Sequence, residues 1–226
     1  MIIKKVLIVD DHDFILKGIE KALLQYKPDL EICLSKNCDD AFAQIKKAYN
    51  TNKNYDLLIT DLSFENLRYS VNITSGEELI RSIRKLKIPI KIIIITRHNK
   101  TGKIVTIIDN YKPDGYILKS NTSCGEISQA IEDIENDTTF YSQEAHLKLR
   151  NRTMIDSKIN FTDLAILKLI PKVETIEGMA GQILKPGGEP YSKRTIEIRL
   201  QNLRERLNAN NNTDLHIKAQ ELGLVK

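Results

Sequence analysis

Leu57-Leu58-Ile59-Thr60-Asp61 is an apolar run that ends on a carboxylate. It reads as a buried strand with Asp61 at its C-terminal edge, the place where open α/β sheets put their chemistry. The same pattern recurs on both sides of it. Val6-Leu7-Ile8-Val9 leads into Asp10-Asp11, Ile92-Ile93-Ile94-Ile95 into Thr96, and Tyr116-Ile117-Leu118 into Lys119. Four strand ends each offer one part of a single site.

Outward from this stretch, residues 1 to about 136 alternate short apolar runs with amphipathic segments, the βαβα signature of a parallel sheet covered by helices on both faces. Strands are expected near 4–9, 30–34, 56–60, 90–95 and 114–118. The intervening segments are helical by period. Phe14, Ile15, Ile19, Ala22 and Leu23 fall on one face of the first, with Asp13 as its cap, and Leu79, Ile80, Ile83 and Leu86 share a face of another. Five such units make a doubly wound α/β domain with a five-stranded parallel sheet.

Ser142 is suited to cap a short helix over Gln143 to Leu149, and the polar stretch that follows reads as a linker ending near residue 160. Beyond it the pattern is purely helical. Thr162 caps a helix through Ile170, a second runs from about Thr175 to Leu184, Ser192 caps a third reaching Leu207, and Thr213 caps a fourth ending at Gly223. The expected organisation is an α/β domain over 1–136, a short helix and linker over 137–160, and an all-α domain over 161–226.

Composition agrees with two cores, since 226 residues are comfortable for two domains of the usual size, about 50–200 residues. The net charge of +4 is small, but its distribution is uneven: residues 1–150 hold 22 Lys and Arg against 21 Asp and Glu, and residues 151–226 hold 12 against 9. Cys33, Cys38 and Cys124 are odd in number and lack a CxxC spacing or His partners, which indicates neither a disulfide framework nor a zinc site. No signal peptide precedes the first strand and no apolar run approaches the roughly 18–20 residues of a membrane span. A cytoplasmic protein with reduced thiols and no membrane partner is expected.

Carboxylates that converge at a strand edge call for a hard cation, and all-oxygen ligation suits Mg²⁺. A carboxylate, a hydroxyl and an ammonium around such a metal make a cradle for a phosphoryl group. Asp61 would be the nucleophile that forms an acyl phosphate, with Lys119 neutralising the oxygens of the transferred group and Thr96 hydrogen-bonding one of them.

These residues resemble those of a two-component response regulator. Val9-Asp10-Asp11, Thr60-Asp61-Leu62, Ile95-Thr96 and Asp114-Gly115-Tyr116-Ile117-Leu118-Lys119 are similar to the motifs of a receiver domain, a flavodoxin-like fold, over roughly residues 1–136. The resemblance implies that Asp61 is the phosphoacceptor and that Asp10, Asp11, Asp61 and the backbone carbonyl of Ser63 bind Mg²⁺. It also implies that Thr96 and Lys119 sense the phosphoryl group and that Tyr116 is the switch aromatic. The partner so implied is a cognate histidine kinase. Phe64-Glu65 stands where the family usually has Met-Pro, the loop to the usual glycine, Gly76, is extended over Asn66 to Thr74, and Ser120 follows Lys119 as in the NarL/LuxR group.

Lys193, Arg194, Arg199, Arg204 and Arg206 fall within residues 192–207, against Glu197 and Glu205. A basic helix after another helix and a turn fits a helix-turn-helix, whose second element enters the major groove. Phe161-Thr162, Leu167-Lys168-Leu169-Ile170, Met179-Ala180, Ser192-Lys193-Arg194-Thr195-Ile196 and Leu222-Gly223-Leu224-Val225 are similar to the LuxR-type DNA-binding domain. The likeness implies a recognition helix that starts at Ser192, with Lys193, Arg194, Thr195, Glu197, Arg199, Asn202 and Arg206 towards DNA and Ile196, Leu200, Leu203 and Leu207 packed inward. The last helix would be a dimer contact. Gly181 to Tyr191 lengthens the family's tight turn, and Glu197 and Arg199 stand where Lys and His are common.

The function expected is a DNA-binding response regulator, not an enzyme, in which phosphorylation of Asp61 controls homodimerisation and transcription from double-stranded DNA. Two alternatives stand beside it. One is a regulator whose receiver is a docking or dimerisation module without phosphorylation. The other is a Mg²⁺-dependent phosphohydrolase, against which stands Ser63 where an acid two residues after the nucleophile is expected.

Overall fold

The computed structural model describes residues 2–65, 72–119 and 124–225, Cys124 by its backbone alone. Its contacts divide the chain into two compact units, Met1–Asn99 with Ile107–His146, and Lys100–Thr106 with Leu147–Lys226. The first is built on six parallel strands: β1 (Lys5–Val9), β2 (Glu31–Ser35), β3 (Leu57–Thr60), β4 (Lys91–Thr96), β5 (Gly115–Leu118) and β6 (Phe140–Tyr141). Helices α1 (Asp13–Tyr26), α2 (Cys38–Asn50), α3 (Gly76–Lys85), α4 (Thr101–Tyr111) and α5 (Cys124–Glu135) alternate with them.

The strand order is β2-β1-β3-β4-β5-β6. The chain runs from β1 outward to β2 and then returns to β3 on the other side of β1. That reversal opens a crevice at the C-terminal ends of β1 and β3. Val9 pairs with Thr60, so the residues that follow, Asp10 and Asp61, leave the sheet side by side. β3 and β5 are buried along their whole length, as expected for central strands covered on both faces, whereas β2 and β6 at the edges are half-exposed.

Among the described residues the sheet has one strand more than the five expected. Phe140–Tyr141 pairs with Gly115 and Tyr116 of β5, and two residues are too short a run to stand out by pattern. On α1 the buried stripe is Leu16, Ile19, Ala22 and Leu23, packed against Ile127, Ile131 and Ile134 of α5. Phe14 is not part of it: at 91% exposure it lies off the stripe, because positions 16, 19 and 23 repeat at helical spacing and 14 does not. Asp13 is the first helical residue, and His12 is the N-cap.

α6 (Gln143–Asp156) continues for two turns past the expected end at Leu149. No Gly or Pro interrupts residues 143–156, and Arg152 pairs with Asp156 one turn on, so nothing in the polar stretch stops the helix. The second unit then holds α7 (Phe161–Leu169), α8 (Ile176–Gln182), α9 (Lys193–Leu207) and α10 (Asn212–Glu221). Ser192 and Thr175 cap α9 and α8 as read from the sequence, but α7 and α10 start on Asn160 and Asn211 rather than on Thr162 and Thr213. In α7 the choice is set by a capping box: Asn160 Oδ1 accepts from Asp163 N and Asp163 Oδ2 accepts from Asn160 N. Ile196, Leu200, Leu203 and Leu207 form the buried stripe of α9 and join Ile166, Leu167, Met179 and Leu215 in one core.

Candidate functional site

Asp10 and Asp61 are both almost fully buried, and Lys119 reaches between them from the end of β5. Its ammonium donates to Asp10 Oδ2 at 2.7 Å and to Asp61 Oδ2 at 2.6 Å. The other oxygen of Asp61 accepts from the backbone N–H of Leu62 at 2.6 Å and, more weakly, of Ser63 at 3.4 Å. Asp61 is therefore fixed by three donors on two sides: charge on one and backbone dipoles on the other. Asp11 lies at the rim, where its carboxylate accepts from Glu65 N and lies 2.8 Å from His12 Nδ1, which is also 3.2 Å from Asp10 Oδ1.

Thr96 is fully buried at the end of β4, and its backbone carbonyl accepts from Lys119 N. Its hydroxyl accepts from His98 N at 3.3 Å. Tyr116, also fully buried, donates its phenol to the His98 carbonyl at 3.0 Å. Burial, and then the charge of Asp61, pushes the Tyr116 phenol up from its ordinary range, so it stays a donor. His98 closes the group on the third side through Nε2, 2.8 Å from Ser63 Oγ. This residue escaped the reading of the sequence; its one signal was a polar side chain two residues beyond Thr96.

Gly76, the first residue of α3, donates its N–H to the Leu62 carbonyl and presses on the backbone behind Asp61. A Cβ at this position would lie 1.9 Å from the Asp61 carbonyl oxygen. The glycine is thus required by close approach, not by a special turn. Burial, followed by the charges of Asp39, Glu78, Asp11 and Asp61, raises the thiol of Cys38 at the start of α2 to about 12. Residues 66–71 of the extended loop and Ser120 lie outside the described residues.

In the second unit, Lys193, Arg194, Glu197, Asn202 and Arg206 are exposed on α9, while Thr195 and Arg199 are half-buried. Lys193 pairs with Glu177 of α8. Arg199 is engaged further inside: it donates to Asp163 Oδ1 at 2.8 Å and lies 5.8 Å from the centre of the Tyr191 ring. Arg206 approaches the same buried carboxylate at 3.8 Å and donates to the Lys158 carbonyl. Thr195, Arg199, Asn202 and Arg206 line one cavity of about 380 Å³ with Asn160 and Asp163. Asp163 and Tyr191, which hold this face of α9, were not singled out from the sequence.

Residues 6–132 match the response regulator receiver domain family, and they include every side chain of the acidic site. The chain belongs to that family. The receiver spans more than half of the chain, and the likeness to relatives extends beyond it. The response regulator protein VraR of Staphylococcus saprophyticus is 26% identical over 227 residues, which cover 98% of this chain and 99% of that protein. Among solved structures, RcsB from Salmonella typhimurium superposes with a TM-score of 0.65 at 20% identity, over 97% of this chain and 99% of the other. RcsB from Salmonella enterica serovar Typhimurium, solved on a promoter with the phosphomimetic BeF₃⁻, gives 0.59 at 20% identity, covering 96% and 98%. At such identity the two structures speak for the fold: a parallel α/β receiver followed by a helical C-terminal part.

The acidic pocket of the receiver fits a divalent cation on charge. Three carboxylates, Asp10, Asp11 and Asp61, meet one ammonium, which leaves an excess of negative charge that a doubly charged ion balances. Ligand atoms of Asp10, Asp11 and His12 lie within 4.8 Å of one another. His12 contributes nitrogen to that group, whereas the carboxylates supply the oxygens a hard cation prefers. Among the described residues no helix is long and apolar enough to cross a membrane.

Proposed function

We propose that this chain is a transcription regulator switched by phosphorylation of Asp61. The observation that carries the reading is the Lys119 ammonium seated between the buried carboxylates of Asp10 and Asp61 at the crevice of the sheet. A phosphorylated histidine of a cognate kinase is the donor. A carboxylate oxygen of Asp61 attacks phosphorus, the P–N bond breaks as the P–O bond forms, and the departing imidazole nitrogen takes up a proton from water. Asp10, Asp11, Asp61 and the Ser63 carbonyl are the groups to hold Mg²⁺, which when bound neutralises charge on the transferred oxygens.

The residues of the chain do the rest. Lys119 follows the new negative charge, and Thr96 turns its hydroxyl to donate to a phosphoryl oxygen. The second move acts on His98, whose amide is bonded to Thr96 and whose carbonyl is bonded to Tyr116. The phosphoryl group thereby biases a two-state arrangement of the β4 exit and of Tyr116. That arrangement controls homodimerisation, which presents two copies of α9 to half-sites of double-stranded DNA about one helical turn apart. The exposed Arg194, Glu197 and Asn202 are the residues best placed to face the groove. RcsB from Salmonella enterica serovar Typhimurium, solved on a promoter in the presence of a phosphomimetic, supports the same reading.

Intact-mass measurement after incubation with Mg²⁺ and a small-molecule phosphodonor tests it, beside an Asp61→Asn control. Gain of one phosphoryl group by the unmutated protein alone is expected. Equal masses for the two folded proteins, with and without a phosphorylated kinase domain, would leave the receiver as a docking module.

A further inference from the structure

Between α8 and α9 the chain builds a small antiparallel ribbon that packing of the two helices does not require. Leu184 pairs with Pro190. Tyr191 N donates to the Ile183 carbonyl at 3.1 Å, Lys185 N to Glu189 O at 2.8 Å and Gly188 N to Lys185 O at 2.9 Å. Gly188 takes φ +86, a left-handed conformation that costs glycine nothing. The base is anchored: Ile183 is buried, and the Tyr191 hydroxyl lies 3.3 Å from Thr162 Oγ1 with its ring beside Arg199. Residues 184–190 are all exposed. A fixed base with an exposed tip is a projecting arm, not a collapsed loop.

The arm runs directly into Ser192, the N-cap of α9. In a helix-turn-helix the N-terminal end of the second helix lies against base edges, so the arm starts at the groove. Three residues from Leu184 to the tip reach about 10 Å at ~3.3 Å per residue. The major groove is roughly 12 Å wide, which brings the tip to the bordering phosphates. Added Cβ atoms at Gly187 and Gly188 would meet nothing within 4 Å, so another molecule's backbone can come close. Lys185 supplies the cation. Its ammonium is only 3.6 Å from the exposed Glu189 carboxylate, a loose pair that exchanges readily for a phosphate.

We propose that the 184–190 ribbon is a second DNA contact, in which Lys185 and the glycine tip grip the phosphate backbone beside the groove that α9 enters. The proposal rests on the DNA-binding reading above. Anisotropy titrations of the full chain against a mixed-sequence duplex, at several salt concentrations, test it with Lys185→Ala, Glu189→Gln and Arg194→Ala, each checked for an unchanged melting temperature. Loss of one phosphate contact in Lys185→Ala lowers the slope of log K against log salt by about 0.9, so that a fourfold rise in salt weakens the unmutated protein about 3.5-fold more than the variant. Glu189→Gln removes an acid and releases Lys185, and tightens binding at low salt. If Arg194→Ala weakens binding while both ribbon variants keep the original slope and affinity, the ribbon is not a contact and the DNA reading stands. If the unmutated protein binds no duplex, both fall together.

Discussion

Replacing Gly76 by alanine tests how the receiver holds Asp61, the proposed phosphoacceptor. The new Cβ would lie 1.9 Å from the Asp61 carbonyl oxygen, 2.9 Å from its carbon and 3.0 Å from Leu62 Cα. All three are backbone atoms, so no rotamer change relieves the clash. Even a tight contact of 3.0 Å needs a shift of about 1 Å, between α3 and the end of β3. Overpacking of this kind costs about 1–3 kcal/mol, read as a lower urea midpoint at unchanged slope. The larger effect is on chemistry. Asp61 Oδ1 is tied to Leu62 N at 2.6 Å and Oδ2 to Lys119 at 2.6 Å, so a displaced backbone moves the proposed nucleophile against its own donors. A misplacement of ~1 Å costs on the order of 10²-fold in rate. The initial rate of phosphoryl gain, followed by intact mass under Mg²⁺ and phosphodonor, should drop by that order. Gly18→Ala is the control: it sits inside α1 with nothing within 4 Å of the added carbon, and should stabilise by roughly 0.5–1 kcal/mol without touching the rate. A Gly76→Ala protein that phosphorylates at the original rate would refute the close-approach argument.

Lys119→Met removes the cation between two buried carboxylates and is expected to cost about 3–5 kcal/mol in metal-free buffer. Mg²⁺ should then stabilise this variant more than the unmutated protein in urea titrations; an equal response in the two would mean that the pocket does not exchange one cation for another. With its thiol raised to about 12 by burial and surrounding carboxylates, Cys38 should resist iodoacetamide at pH 8 in the native state and react once urea unfolds the chain, as peptide mapping can show. Burial alone would raise the carboxyl of Glu135, but hydrogen bonds from Lys27 and from Ile3 N outweigh it and hold the group below its ordinary range. A lowered folded value contributes stability above the unfolded value, and this is lost as pH falls through the folded one. Glu135→Gln should therefore flatten the acid side of the stability curve; an identical acid limb in the two proteins would count against the pair.

The strand ends were legible because the central strands are so uniformly apolar. In Ile92 to Ile95 a polar residue can only mark the exit, and Thr96 does so. The same logic has nothing to hold on to in β6, where two aromatic residues make a strand only because β5 offers a free edge. Phe14 looked like a core residue by type, and only its phase against Leu16, Ile19 and Leu23 puts it in solvent. The helix starts misread as Thr162 and Thr213 share a feature: each threonine lies inside an Asn-x-x-Asp motif, Asn160-Asp163 and Asn211-Asp214, and α2 starts on the same motif at Asn37-Asp40. Two good caps two residues apart compete, and asparagine with an acid three residues on wins by satisfying more of the exposed helix-end donors.

The basic helix shows where counting charges stops being informative. Five cations on α9 suggest a strongly attractive surface, yet position relative to other helices decides how many are available. Asp163 is buried at the start of α7, and a buried carboxylate is stable only with compensation. Arg199 supplies it directly and Arg206 from farther out, while Lys193 is drawn to Glu177 and Arg204 to Asn212. Much of the positive charge on α9 is therefore spent on orienting the helix within its own domain. What the helix can offer DNA by attraction alone is correspondingly smaller than its composition implies. On the proposed reading, binding leans on Arg194 and on contacts supplied from outside the helix, which is the setting in which an arm carrying Lys185 at the entrance to α9 would have an effect large enough to measure.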